Sequence, residues 1–474
     1  MLEFAWPSLT SFFTLLDIVI VVLTMIWVLT VKREPMTAVA WCLLVILIPL
    51  FGVLLFFFFG YQSLHRPLRR KKLRAQAFRA KQPREPHIPA QEHEELALLA
   101  RQLGAGQLVG GNAITLFHTG APAFDAMLAA IRTAKQHIHM QFFITRADAS
   151  GRLFMETLAE RARAGVEVRF LYDAVGSWSL HSSVLRLLTQ AGGQAQPFLP
   201  LPNPLRRRLR INLRNHRKIL LIDGQIAFTG GLNIGDEYLG YSPFFGAWRD
   251  THLRLAGPAV RDLQRVFAED WDFATNELLE REDFFPPLAS EGNAFVQVAW
   301  SGPDQELKPI REVYFAAIMR ARTRLWLTTP YFVPDASLLD ALCLAARTGR
   351  DVRIICPFRP DKWVPHFASR YCWAQLLAAG VKIYQYTAGF MHAKTLLMDE
   401  AWCSVGTVNF DNRSFNLNFE VTCLIEDRDI AQQLEQALLV DMSQSIRVRA
   451  KTFAHRPFIS KIAENACRLL SPIL

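Results

Sequence analysis

Asn215-His216-Arg217-Lys218-Ile219-Leu220-Leu221-Ile222-Asp223 returns further along the chain as Met391-His392-Ala393-Lys394-Thr395-Leu396-Leu397-Met398-Asp399. Both stretches read His-x-Lys-x4-Asp. Each is followed, at the same interval, by a small-residue turn that ends in Asn: Gly230-Gly231-Leu232-Asn233 and Gly406-Thr407-Val408-Asn409. A lone His-x-Lys is ordinarily a surface coincidence. One template recurring in register at five positions is not, and it predicts a duplicated fold in which each half donates half of one active site.

His and Lys two apart on a strand share a face. The apolar runs that follow, 219–222 and 395–398, have the composition of buried strands. Each motif therefore presents an imidazole beside an ammonium on a rigid element. The glycine turn lets a backbone and an Asn side chain approach the same point. Two His, two Lys and two Asn suit one tetrahedral anion, a phosphodiester. The lysines neutralise its charge. One imidazole can attack phosphorus while the other protonates the leaving oxygen. This double displacement through a phospho-histidine requires no metal and no cofactor. Zinc is disfavoured, because His-x-Lys is not ligand spacing and Lys is not a usual ligand.

On these residues the chain resembles the phospholipase D superfamily, whose duplicated signature is H-x-K-x4-D-x6-G-[GS]-x-N, and within it the bacterial cardiolipin synthases. Further matching stretches are Gly230–Tyr238, Trp248–Thr251, Thr329–Asp335 and Asn409–Ser414, and the likeness covers nearly the whole chain. The resemblance implies His216 as nucleophile and His392 as general acid, although the residues alone leave the two interchangeable. It adds Lys218 and Lys394 to the catalytic set and makes Asn233 and Asn409 phosphate-binding or orienting residues. Asp223 and Asp399 belong to the motif but are expected mainly to support structure. The acid that orients each His is expected further along: Glu420 in the second half, and Asp250, at the head of the similar run Thr251–Leu255, in the first. The longer spacing to Asp250 fits an insertion around Tyr238–Pro243.

The 474 residues suggest about three domains at roughly 150 residues each, and the duplication accounts for two. The net charge of +10 favours anionic partners, either nucleic acid or anionic lipid. The cysteines are Cys42, Cys343, Cys356, Cys372, Cys403, Cys423 and Cys467. Their number is odd, none forms a Cys-x-x-Cys, and most sit in apolar runs. They read as reduced thiols of a cytosolic catalytic domain.

The first 62 residues differ from the rest. The run 11–31 has one charge, Asp17, and 37–59 has none. Each is long enough for a hydrocarbon core of about 30 Å. With only Lys32-Arg33-Glu34-Pro35 between them, they predict a transmembrane helical hairpin. No basic segment precedes the first run, which argues against a cleaved signal peptide. Asp17 is costly in lipid and is expected against the partner helix or near an interface. Pro49 and Gly52 mark a kink that would also suit a re-entrant helix. Arg66, Arg69, Arg70, Lys71, Lys72, Arg74, Arg79, Lys81 and Arg84 follow. The positive-inside rule puts this flank, and the catalytic part, on the cytoplasmic side of a bacterial inner membrane, in a multi-pass chain with both ends inside. The cluster suits either a plain topology signal or contact with anionic lipid, at roughly 1 kcal/mol per basic residue.

Segment 63–107, basic and juxtamembrane, contains the linker 83–89. Helical and extended cues then alternate across 108–283: 124–134 helical, 137–144 extended, 154–164 helical, 166–172 extended. The plan repeats across 284–445, with Ala129-Ala130-Ile131 matching Ala316-Ala317-Ile318 and Val168-Arg169 matching Val352-Arg353. The expected fold class is α/β: two tandem α/β sandwich domains with mixed sheets, sharing one active site behind the hairpin. The Arg-rich run 203–210 suits lipid head groups or a solvated loop. The tail 446–474 has Phe458, Ile459, Ile462, Ala463, Ala466, Leu469, Leu470, Ile473 and Leu474 at helical spacing. Packing on the catalytic domain is the expectation, and an interfacial membrane helix is the alternative.

The resemblance implies a phosphatidyltransferase. One phosphatidylglycerol passes its phosphatidyl group to a histidine and a second accepts it, giving cardiolipin and glycerol. Exclusion of water would separate transfer from hydrolysis. The same residues would serve a phospholipase D, or a transferase using another alcohol or phospholipid. A nucleic-acid phosphodiesterase fits charge and motif but has no need of a membrane hairpin. A non-catalytic membrane scaffold is disfavoured by two complete motifs. The expected partners are thus phosphatidylglycerol and anionic membrane lipids, without nucleic acid.

Overall fold

The apolar runs of the two motifs become buried strands. In the structure, a computed structural model, the described residues are 9–31, 35–60, 65–81, 92–200, 212–241 and 246–471. The linker 83–89, the Arg-rich run 203–210 and residues 32–34, 242–245 and 472–474 lie outside them. The chain divides into two units, Met1–Arg70 with Pro202–Asn212, and Lys71–Leu201 with Leu213–Leu474.

In the first unit, α1 (Leu9–Val31) contains the stretch Ser11–Val31, long and apolar enough to cross a membrane. Asp17 is exposed on it rather than packed against a partner helix. The second apolar run is not the continuous span expected over 37–59. It breaks into α2 (Pro35–Leu47) and α3 (Pro49–Leu55), with Ile48 between them. Pro49 lacks an N–H, and its ring clashes with the carbonyl four residues back, so α2 cannot run through it. The chain then doubles back. Gly52 lies so near α2 that a Cβ there would stand 2.5 Å from the Leu44 carbonyl oxygen. Buried Phe56 meets Trp41 of α2 and Trp27 of α1, with ring centroids 5.3 and 5.8 Å apart. At about 1.5 Å per residue, α2 is too short for a hydrocarbon core of about 30 Å. The bend has the form of the re-entrant alternative.

In the second unit, part of the basic cluster is already partnered. Lys71, Arg74, Arg79 and Lys81 lie on α4 (His65–Lys81). Lys71 is buried between Asp270 (3.2 Å) and Asp304 (3.0 Å). Arg79 binds Glu269 through two hydrogen bonds of 2.5 and 2.6 Å. Arg74 pairs with Asp272 and Lys81 with Glu280. These four bind acids of their own unit, so the simple choice between topology signal and lipid contact does not describe them.

Two sheets of matching order form the core. The first runs β4 (Gln194–Phe198), β3 (Glu167–Asp173), β2 (His137–Phe142), β6 (Ile219–Ile222), β7 (Ile226–Gly230), β8 (Ala247–Ala256) and β1 (Val109–Thr119). The second runs β13 (Lys382–Tyr386), β12 (Asp351–Pro357), β10 (Arg324–Thr328), β15 (Thr395–Met398), β16 (Trp402–Gly406), β18 (Asn418–Glu426) and β9 (Ala294–Ser301). In each sheet three strands are parallel and the rest antiparallel, as the mixed-sheet expectation requires. β1 pairs with β9 as well as β8 and so joins the sheets. Helices cover each sheet: Phe124, Met127, Phe154 and Leu158 pack on Ile138 and Phe170 in the first half, and Val313, Leu338, Leu342 and Trp373 on Leu325 and Ile354 in the second.

Short strands cross between the halves. β5 (Arg214–Asn215), just before His216, lies parallel to β18 of the second half. β14 (Gly389–Met391), just before His392, lies parallel to β8 of the first. Smaller pairings join β11 (Phe332–Val333) to β17 (Phe410–Asp411), and β19 (Ser445–Arg447) to β13.

Candidate active site

The crossing strands decide which groups meet. The backbone N–H of His216 donates to the carbonyl of Phe419 (2.9 Å), the residue before Glu420. That of His392 donates to the carbonyl of Arg249 (2.7 Å), the residue before Asp250. Each imidazole therefore meets the acid of the other half. Nδ1 of His216 lies 3.0 Å from the Glu420 carboxylate, and Nδ1 of His392 lies 2.6 Å from Asp250 Oδ2. The expectation that the acids lie on the strands after the glycine turns agrees with this geometry. The implied pairing of each acid with the His of its own half does not, because the lead-in strands exchange partners.

Both acids are buried and held. Glu420 accepts the Thr407 hydroxyl and, at 3.2 Å, the Asn418 amide. Asp250 accepts the Thr251 N–H at 2.7 Å and sits against Gly231, where a Cβ would come within 1.9 Å of its Oδ1. Burial alone would raise both carboxyls. Lys394 and His392 outweigh it at Asp250, and His216 and Lys218 outweigh it at Glu420, so both stay below their ordinary values.

An ionised carboxylate can only accept, so each Nδ1 carries the hydrogen and each Nε2 keeps its lone pair. Burial, reinforced by nearby lysines, pushes His216 down to about 4 and His392 down to about 3, against the raising influence of their acids. Both shifts favour the neutral ring. Aromatic rings wall them: Phe143 stands 4.9 Å from the His216 ring, and Trp248 5.4 Å from that of His392.

The motif lysines are buried beside them. Lys218 Nζ donates to the His216 carbonyl at 2.7 Å, and Lys394 Nζ to that of His392. Burial brings Lys218 down to about 7 and Lys394 to about 8, against the pull of Glu420 and Asp250, with Lys394 further depressing Lys218. A bound phosphodiester would supply the anion that favours their charged forms. Asn233 accepts the Ile144 N–H (3.0 Å) and donates to the Tyr238 hydroxyl (2.9 Å). It braces the wall of the site. Asn409 is buried with no hydrogen-bond partner for Oδ1 among the described residues.

Asp223 and Asp399 sit apart from this chemistry, each at the far end of a four-residue strand from its lysine. Both adopt left-handed backbone, φ 52° and 53°. Asp223 accepts the N–H groups of Lys135, Gln136 and His137, and Asp399 those of Arg322, Thr323 and Arg324. They anchor the starts of β2 and β10, so their inclusion in the catalytic set gives way to the structural role.

Several contributors escaped the sequence reading. Asp173, ending β3, accepts the Asn215 N–H at 2.9 Å and so fixes the crossing strand. Arg217 reaches Asp270 (2.7 Å) and the carbonyl of Glu420 (3.1 Å). Arg249 makes a twofold contact with Asp441 (2.8 and 2.7 Å). Arg217, Tyr238, Trp248 and Arg249 lie inside the quoted stretches, but only their three-dimensional neighbours reveal what they do.

A family model described as "Cardiolipin synthase, PLD-like domain" matches residues 127–271 and 314–442. A cardiolipin synthase of Geobacillus kaustophilus (strain HTA426) is 40% identical over 452 residues, covering 94% of this chain and 90% of that protein. The chain belongs to the cardiolipin synthase family. Cardiolipin synthase 2 of Bacillus anthracis is also 40% identical, with 94% and 88% covered. A second model, "Phospholipase_D-nuclease N-terminal", matches residues 19–60. Among solved structures, the phosphatidylserine synthase of Haemophilus influenzae Rd KW20 superposes with a TM-score of 0.58 at 15% identity, over 80% of this chain and 100% of that one. That likeness bears on the fold alone. The family and the two matching sheets together make this a phosphatidyltransferase of the phospholipase D fold.

Proposed function

We propose that the enzyme transfers a phosphatidyl group between two phosphatidylglycerol molecules, giving cardiolipin and glycerol. The observation that carries this reading is the crossed pairing of two buried, acid-held imidazoles beside two buried lysines. Nε2 of His216 attacks the donor phosphorus; the N–P bond forms as the P–O bond to the headgroup glycerol breaks. His392 first takes a proton from solvent, which the bound phosphodiester anion favours, and it delivers this to the departing alkoxide. The acceptor's terminal hydroxyl then gives its proton to His392 and attacks phosphorus, and the N–P bond breaks. Lys218 and Lys394 balance the phosphate charge, and Asn409 offers an amide to it. Glu420 and Asp250 position the two rings.

In this reading 108–283 and 284–445 are the two catalytic halves, with 1–62 and 63–107 before them and the tail 446–474 after. Anchorage at the bacterial cytoplasmic membrane rests on the apolar helices, and a cytoplasmic catalytic unit is supported by seven cysteines without a disulfide. Labelled phosphatidylglycerol, followed by thin-layer chromatography, tests the reaction. Cardiolipin and glycerol from the wild type, and neither from His216→Ala, is the expected result. Phosphatidic acid in their place would make it a hydrolase, and no turnover would remove phosphatidylglycerol as donor.

A further inference from the structure

The C-terminal helix Phe458–Arg468 is amphipathic and mounted with its apolar side outward. The buried residue on it is a carboxylate, Glu464. Phe458, Ile459 and Leu469 are 77, 75 and 79% exposed, and Ile462 and Leu470 are exposed with them. These five share one face at 100° per residue. The packing on the catalytic domain expected from the same residues is thus made by the opposite face.

Polar contacts lock this orientation. Glu464 takes Arg370 Nε on one oxygen (3.0 Å) and Arg456 Nε on the other (2.8 Å). Arg468 lies over the Tyr371 ring at 4.4 Å and donates to its hydroxyl at 2.7 Å. Asn412 donates to the Ser471 carbonyl at 3.2 Å, three residues beyond Asn409 of the site. Rolling the helix to hide its apolar face would strand the buried carboxylate away from both guanidiniums, leaving a buried charge uncompensated.

We infer that this face docks on a lipid bilayer as an interfacial helix, holding the active site against the membrane that supplies its substrate. The inference rests on the phospholipid reading above. The flanking charge has the sign an anionic leaflet attracts: Arg447, Arg449, Lys451, Arg456, Lys461 and Arg468 stand against Glu464 alone in residues 445–471. A second copy on the same face would bring two such basic stretches together. Large apolar side chains beside basic ones are the composition of helices that lie in the headgroup layer.

The test uses the full chain in vesicles of phosphatidylglycerol and phosphatidylethanolamine, with the photocrosslinker benzoylphenylalanine placed at Phe458. A covalent adduct with radiolabelled phospholipid is expected. Crosslinks only to a second copy of the chain, or no lipid adduct, would overturn the inference, whatever the enzyme's substrate. In parallel, the double variant Phe458→Ser with Ile459→Ser should lose at least about 10-fold in rate on vesicles while turnover of a water-soluble short-chain phosphatidylglycerol stays within about 2-fold. Equal rates of variant and wild type on vesicles, or equal losses on both substrates, would count against it. Failure of the wild type on both substrates would instead sink the functional reading, leaving the crosslink to decide docking.

Discussion

Glu420 stands 3.0 Å from Nδ1 of His216, although the two belong to different halves of the chain. The reciprocal pair, Asp250 with His392, closes the exchange at 2.6 Å. The exchange follows from the backbone, because β5 lies on β18 and β14 lies on β8. Neither half alone holds a complete pair.

Removing an acid should therefore disable the histidine of the opposite half. Glu420→Ala is expected to slow formation of a phospho-enzyme at His216, and Asp250→Ala to slow release of the leaving group through His392. Each should cut kcat by about 10²-fold or more, the range for general acid–base groups. Rapid-quench detection should show slowed phospho-enzyme formation in both variants, because attack by His216 and departure of the leaving group are one displacement. Full activity of a folded Asp250→Ala protein would eliminate the positioning role.

Gly231→Ala tests the same carboxylate without touching it. The added Cβ would fall 1.9 Å from Asp250 Oδ1, so the acid must move away from His392. The expected outcome is a kcat loss approaching that of Asp250→Ala. A Gly231→Ala enzyme with wild-type kcat would show that Asp250 has room to adjust.

The buried histidines make stability depend on acidity with a definite sign. Their folded values, about 4 and 3, lie below the ordinary value of 6.5. Between roughly pH 4 and 6.5 the unfolded chain binds more protons, so stability rises with pH in this window. Lys218 and Lys394, at about 7 and 8 against 10.5, act in the same direction from about pH 7 to 10. Thermal unfolding of detergent-solubilised enzyme should show a weaker pH slope from 4 to 6.5 in the double variant His216→Gln with His392→Gln. An unchanged slope would assign the effect to other groups.

Arg249 and Asp441 form a buried pair whose members also belong to different halves. Arg249→Ala leaves Asp441 buried without its cation, a change that costs about 3–5 kcal/mol. Denaturant unfolding should show this loss, and adding Asp441→Asn should recover part of it. No recovery would mean that Arg249 acts mainly through its bonds to backbone and Thr251.

Duplication was legible because the two motifs keep one spacing, and alternating cues marked the strands and helices within a few residues. The exchange of acids was not. Distances along the chain suggested that Asp250 follows His216 as Glu420 follows His392, and nothing in a linear spacing reports a two-residue strand pairing with the other half. Residues 71–81 looked like a free basic flank because their acids, Asp270, Asp272, Glu269 and Asp304, lie far away in sequence. The period of the C-terminal helix identified its apolar face, but only Glu464 between two arginines reveals that the other face is the packed one.

The bend at Ile48 governs the parity of membrane passage. Because Phe56 has come back to the level of Trp41 and Trp27, the chain reaches Gly60 near the end of the bundle from which α2 set out. Were α1 to cross a bilayer, this geometry would put Leu9 on one face and both Val31 and Gly60 on the other, an odd number of passages. In the sequence, Lys32 and Arg33 follow directly on Val31, and Arg69 and Arg70 come after Gly60. Two full spans would set these basic groups on opposite sides of a bilayer; one span and a returning bend would remove that conflict.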